Sequence, residues 1–141
     1  MKLFPKHKTG FTLLEIMLVV TIIALLLSAA IYGLRGNLGF AQDTRVDSDV
    51  KSTTTQLNLY QAMNGFYPSA EQGLKALVTP PDSEPKPRQW RQLLSKVPID
   101  PWGNAYIYVV PGRHNPDSFD IYSAGPDRKA DTADDIGNWD R

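Results

Sequence analysis

The chain has 141 residues, enough for one small folded domain with an appended segment and too few for two independent cores. Its 15 basic and 15 acidic residues cancel to a formal net charge of zero, so nothing in the overall charge points to a nucleic-acid partner. There are no cysteines, which excludes a disulfide framework and a thiolate metal site.

The charge is uneven along the chain. Residues 1–10 carry Lys2, Lys6 and Lys8 and no acid, so the remainder is mildly acidic. From Phe11 to Ile31 the only strongly polar residue is Glu15; Thr12, Thr21 and Ser28 can return their hydroxyls to a helix backbone. A helix over that stretch reaches about 32 Å, close to the ~30 Å hydrocarbon core of a bilayer. The lysines ahead of it, against Arg35 as the only early cation behind it, place the N-terminus in the cytoplasm and everything after about Tyr32 on the far side.

A conventional secretory signal carries its small-residue cleavage site after the apolar stretch. Here the small residue, Gly10, comes before it, so cleavage there would remove the basic head and leave the anchor attached. Glu15 costs ~2.5 kcal/mol or more at mid-bilayer and less near the interface. Either it reaches water at the interface or it has a cationic partner. Cleavage after Gly10 would create one, because the new amine on Phe11 lies a turn from Glu15 and within reach of the Glu15 of a neighbouring subunit.

Beyond the span, Gly33, Gly36 and Gly39 each weaken a helix interior by about 1 kcal/mol, which predicts either a bent or melted stretch or close packing of small residues against neighbouring helices. From Ala41 to Asn64 the apolar positions Val46, Val50, Leu57 and Tyr60 mark one face of an amphipathic helix, closed by Asn64-Gly65 with Pro68 following. A second short helix is expected from about Glu71 to Leu77. Four prolines in residues 80–87 predict an extended, poorly ordered loop. Trp90, Leu93, Leu94 and Val97 suggest an apolar turn or short helix, and Asp100-Pro101-Trp102-Gly103 fits a type I turn. Tyr106–Val110 and Phe119–Tyr122 predict two short strands whose sheet covers the helix stripe.

The last 15 residues hold Asp127, Asp131, Asp134, Asp135 and Asp140 behind Ser123-Ala124-Gly125-Pro126 and bury little apolar surface. Oxygen-only donors on a loop suit calcium and are poor for zinc, but no EF-hand pattern is present, and a solvated acidic loop satisfies the same composition. No nucleophile constellation is visible, so an enzyme is not expected. His7 and His114 read as surface residues, and Trp90, Trp102 and Trp139 as core.

Gly10-Phe11-Thr12-Leu13-Leu14-Glu15, behind a short basic leader and ahead of an apolar helix, resembles the class III signal read by prepilin peptidase. Asn64-Gly65-Phe66-Tyr67-Pro68, Glu71-Gln72-Gly73-Leu74, Asp100-Pro101-Trp102-Gly103-Asn104 and Phe119-Asp120-Ile121-Tyr122-Ser123 resemble landmarks of the type II secretion major pseudopilins, also called general secretion pathway protein G. The resemblance covers nearly the whole chain. It implies an α+β pilin-like fold in which a long N-terminal helix, transmembrane and then amphipathic, packs on a small C-terminal antiparallel sheet with a calcium-binding loop. Its parts would be a leader over residues 1–10, a transmembrane and assembly helix over 11–35 and a periplasmic domain over 36–141. Tyr32 and Ala24 depart from the proline and glycine usual in similar chains.

The implied chemistry is cleavage between Gly10 and Phe11, N-methylation of Phe11 and pairing of Glu15 with the N-terminal amine. The implied calcium shell is the side chains of Asp127, Asp134 and Asp135 and the carbonyls of Ala124 and Thr132, with Asp131, a departure from the family, as an extra ligand, an outer charge or merely exposed. The implied function is the major subunit of a pseudopilus, a helical filament of identical copies held in the bacterial inner membrane. It would grow from an inner-membrane platform driven by a cytoplasmic ATPase, carry minor pseudopilins, and push folded proteins across the outer membrane. The alternatives are a type IV pilin, which usually closes its C-terminal loop with a disulfide, and a monomeric membrane-anchored calcium-binding module.

Overall fold

A computed structural model describes residues 10–139. The leader lysines, His7 and Asp140 lie outside the described residues. The elements, in chain order, are α1 (Leu13–Asn64), a 3-10 helix (Gly73–Leu77), β1 (Ile107–Val109), β2 (Asp120–Ser123) and β3 (Ile136–Gly137). The chain divides into two units that meet between Phe40 and Ala41.

In the first unit, α1 starts where Thr12 caps it: the Thr12 hydroxyl accepts from the Glu15 N–H at 3.2 Å, and the Thr12 carbonyl accepts from Ile16. Thr21 and Ser28 donate their hydroxyls to the carbonyls of Met17 and Ala24, which hides them from an apolar surround as expected. The backbone stays helical through Gly33, Gly36 and Gly39. Of the two expectations the melted stretch is not found, since about 1 kcal/mol per glycine is small against the cooperative cost of interrupting a ladder that continues on both sides.

In the second unit, the predicted stripe is buried: Val46, Val50, Leu57 and Tyr60 are each at most 3% exposed. Thr53 fills the gap between Val50 and Leu57 and hides its hydroxyl on the Asp49 carbonyl at 2.8 Å. Leu74, Leu77, Tyr106, Phe119, Ile121 and Ile136 close the core over this face. Each such side chain contributes roughly 1.5–3 kcal/mol on leaving water.

Gly65 takes the left-handed conformation at φ 87° and donates to the Gln61 carbonyl at 2.7 Å, which ends α1 as the sequence predicts. The Tyr106 hydroxyl donates to Asp49 at 3.0 Å and the Tyr108 hydroxyl to the Pro68 carbonyl at 2.8 Å, tying β1 to α1 and to the turn that follows it. Tyr67 meets Phe119 edge-on, with centroids 4.9 Å apart.

The sheet has three strands rather than two, antiparallel in the order β1-β2-β3. Ile107, Tyr108 and Val109 pair with Tyr122, Ile121 and Asp120, and Ser123 pairs with Ile136. Two residues carry no readable alternation, which is why β3 escapes sequence analysis.

The second helix is a 3-10 turn with Leu74, Ala76 and Leu77 buried. The proline-rich loop is tied rather than loose: Gln72 Nε2 donates to the carbonyls of Ser83 and Pro85. Residues 90–97 form no helix. The Leu93 and Leu94 N–H groups donate instead to the Leu77 carbonyl, and the Trp90 indole N–H to the Ala76 carbonyl.

Candidate functional site

Two regions hold the residues singled out from sequence, and each is described within its own unit. The first is the start of α1. Leu13–Tyr32 is long and apolar enough to cross a membrane, with a mean hydropathy of 2.7 and none of it buried. Every residue from Gly10 to Tyr32 is exposed. Ile16, Leu18, Val20, Ile23, Leu25 and Leu27 are each half exposed or more, so this surface belongs in lipid or against other helices. Glu15 sits in the first turn, where the helix dipole favours a negative charge.

The second region is the loop from Ala124 to Asp135, between β2 and β3. Thr132 Oγ1 donates to Asp134 Oδ1 at 2.7 Å, with the Lys129 carbonyl at 2.9 Å and Asp135 Oδ1 at 3.4 Å, so two of the predicted carboxylates flank one hydroxyl. Asp134 Oδ2 accepts from the Asp127 N–H at 3.3 Å. The Thr132 hydroxyl holds the Asp134 carboxyl below its ordinary range against an opposing desolvation, helped by the backbone N–H groups of Asp127 and of Asp134 itself. Gly125 lies at φ 64°, and a Cβ there would stand 2.6 Å from both the carbonyl oxygen and Oδ2 of Asp134. Only glycine permits that approach.

The other two aspartates have partners of their own. Asp127 Oδ1 accepts from the Lys129 N–H at 2.8 Å. Asp131 is bridged by Arg113, whose Nη1 lies 3.1 Å from both carboxylate oxygens, while the Asp131 N–H donates to Asp135. Among the described residues no three Asp, Glu, His or Cys side chains are already gathered around one point. The donor types nevertheless suit calcium: carboxylate, hydroxyl and carbonyl oxygens on a short loop, with no nitrogen or sulfur among them.

Sequence analysis missed the residue that builds the neighbouring loop. Asp120 is 2% exposed and accepts from the backbone N–H groups of Arg113, His114 and Asn115 and from Asn115 Nδ2, at 2.6 to 3.1 Å. Burial alone would raise its pKa, but the His114 N–H, the Asn115 side chain and the Arg113 and Asn115 N–H groups together hold it below the ordinary carboxylate value. The Asp120-Ile121-Tyr122 stretch reads as a strand, and no sequence signal reveals that its first side chain turns back to bind three successive amides. Trp139 stacks on His114 with centroids 4.0 Å apart and meets Tyr122 edge-on, so it packs against this loop. Trp90 and Trp102 pack against the core.

The comparisons with known proteins follow the same division. Residues 5–31 match the prokaryotic N-terminal methylation motif. Residues 34–139 match the family described as type II secretion system (T2SS), protein G. Core protein G of Dickeya chrysanthemi is 44% identical over 136 residues, covering 95% of this chain and 88% of that protein. Core protein G of Pseudomonas aeruginosa is 41% identical over 140 residues, covering 96% and 97%. The crystal structure of the major pseudopilin from the type 2 secretion system of enterohaemorrhagic Escherichia coli superposes with a TM-score of 0.69 at 42% identity, covering 75% of this chain and 89% of that one. The chain belongs to the type II secretion system protein G family, whose members are membrane-anchored pseudopilins.

Proposed function

We infer that this chain is the major structural subunit of a type II secretion pseudopilus, polymerising into a helical filament that moves folded proteins across the outer membrane. One observation carries the reading: a wholly exposed apolar half-helix with one carboxylate in its first turn precedes a folded unit that matches protein G throughout. Prepilin peptidase would cut between Gly10 and Phe11 and methylate Phe11. The apolar helix holds the subunit in the inner membrane with its folded unit in the periplasm, and in the filament it packs against its copies. The growing fibre then engages the inner-membrane platform and the minor pseudopilins. A secretion assay in cells lacking their own major subunit tests this: the chain restores export, and a Glu15→Ala variant does not.

Calcium is the ion the C-terminal loop suits. Asp127, Asp134 and Asp135 with the Ala124 and Thr132 carbonyls would hold it, and the ion would neutralise carboxylates that otherwise repel one another. Asp127 would exchange its hydrogen bond to Lys129 for the metal. Asp131, engaged by Arg113, is a further candidate ligand that would have to leave that ion pair. A ligand at 100 times its dissociation constant stabilises the state that binds it by about 2.7 kcal/mol, comparable to a disulfide in a chain that has none. Asp134→Ala is expected to lower the melting temperature in excess calcium and to abolish the drop that a chelator causes. An unchanged chelator response in that variant would remove Asp134 from the shell.

A further inference from the structure

Behind the acidic loop lies a buried polar chain that the loop's own residues do not explain. Asp100 is 2% exposed and Ser123 is fully buried. Asp100 Oδ1 accepts from the N–H groups of Trp102 and Asn104, at 3.0 and 2.7 Å, which fixes the turn that carries it. Its Oδ2 accepts from the Ser123 hydroxyl at 2.6 Å, a short bond of the kind a charged acceptor gives. With its proton committed to Asp100, the Ser123 oxygen accepts from the Gly125 N–H at 3.2 Å. Gly125 is the residue whose missing Cβ leaves room for Asp134. A second strand of contact runs the same way: Arg128 Nη2 reaches the Trp102 carbonyl at 3.4 Å, so the loop touches the Asp100 turn from both ends of its first half.

We propose that Asp100 and Ser123 are positioning residues for the acidic loop, holding Gly125, and through it Asp134, in the place from which calcium is bound. The proposal rests on the calcium reading of the loop. Hydroxyl direction is the key step: Ser123 has one proton, Asp100 takes it, and only then does a lone pair face Gly125. An alanine at 123 removes the acceptor for Gly125 and leaves Asp100 Oδ2 with the long 3.5 Å contact from Asn104 Nδ2 in place of its short bond. An asparagine at 100 keeps the shape and removes the charge that orients the hydroxyl.

Full-length protein in detergent is titrated with calcium, and hydrogen exchange is followed over residues 125–135 in metal-free buffer. Ser123→Ala and Asp100→Asn are each expected to raise the calcium Kd about tenfold or more, the range that outer partners of metal ligands command. The double variant should be little worse than the weaker-binding single, because both act through one chain of bonds. Exchange across the loop should quicken in both.

Melting temperatures that fall equally with and without calcium at an unchanged Kd would overturn the proposal and leave Ser123 a core residue only. Unchanged exchange would overturn it as well. Absence of calcium binding in the unaltered protein would sink the metal reading instead, and the exchange data would still decide whether the relay orders the loop.

Discussion

Cells whose only copy carries Glu15→Ala are expected to hold the protein in the membrane at normal levels and to secrete essentially nothing. Removing the charge makes the helix easier, not harder, to insert, by ~2.5 kcal/mol or more at the bilayer centre and by less near the interface, so failed anchoring cannot explain the defect. Fold loss cannot either, since the folded unit begins at Ala41 and has its own core. Glu15 is exposed, on a surface in which it is the one charged residue between Gly10 and Tyr32. Its Thr12 cap serves the backbone and leaves the carboxylate itself for another partner. Assembly is the step proposed to need it. A variant that secretes normally would show that the carboxylate merely reaches water at the interface.

Asp120→Asn is expected to be the most destabilising conservative change in the folded unit, costing about 3 kcal/mol at neutral pH because an amide set against three backbone donors leaves at least one of them unpaired. Gly112 sharpens the effect: a Cβ there would lie 2.6 Å from Asp120 Oδ1, so the loop is wrapped closely around the carboxylate with little room to adjust.

The sign of the pH dependence follows from the lowered pKa. The unfolded chain binds the proton more readily than the folded one, so the stabilisation is complete above the unfolded value of about 3.9 and drains away as pH falls through the lower folded value. Denaturant melts of both proteins from pH 7 down to pH 2 should therefore converge at the acid end. A constant gap across that range would mean that shape, not charge, makes Asp120 matter.

Much of the fold could be read from the chain because its signals are local. The Val46–Tyr60 stripe, the Asn64-Gly65 stop and the Asp100-Pro101-Trp102-Gly103 turn, closed by the Gly103 N–H on the Asp100 carbonyl at 3.1 Å, each follow from a few adjacent residues. What stayed hidden depends on contacts far apart in sequence. β3 is two residues whose strand character comes only from pairing with β2. Trp90 and Leu93 look helical in spacing, yet a single carbonyl, that of Leu77, collects two of the N–H groups in that segment and keeps them out of a helical ladder.

The candidate site divides in the same way. Asp134 and Asp135 are adjacent in sequence and meet at Thr132, whereas Arg113 on Asp131 and Asp100 on Ser123 join residues 18 and 23 positions apart. No spacing rule reaches that far, and resemblance supplied the metal-shell assignment instead.

The mass of the mature N-terminus, taken by mass spectrometry on protein from cells that are actively secreting, reaches the centre of the account. A chain beginning at Phe11 and carrying one added methyl group is the predicted result, since only then does an amine stand one turn from Glu15 in lipid. A chain still beginning at Met1, with export running at full rate, would contradict it.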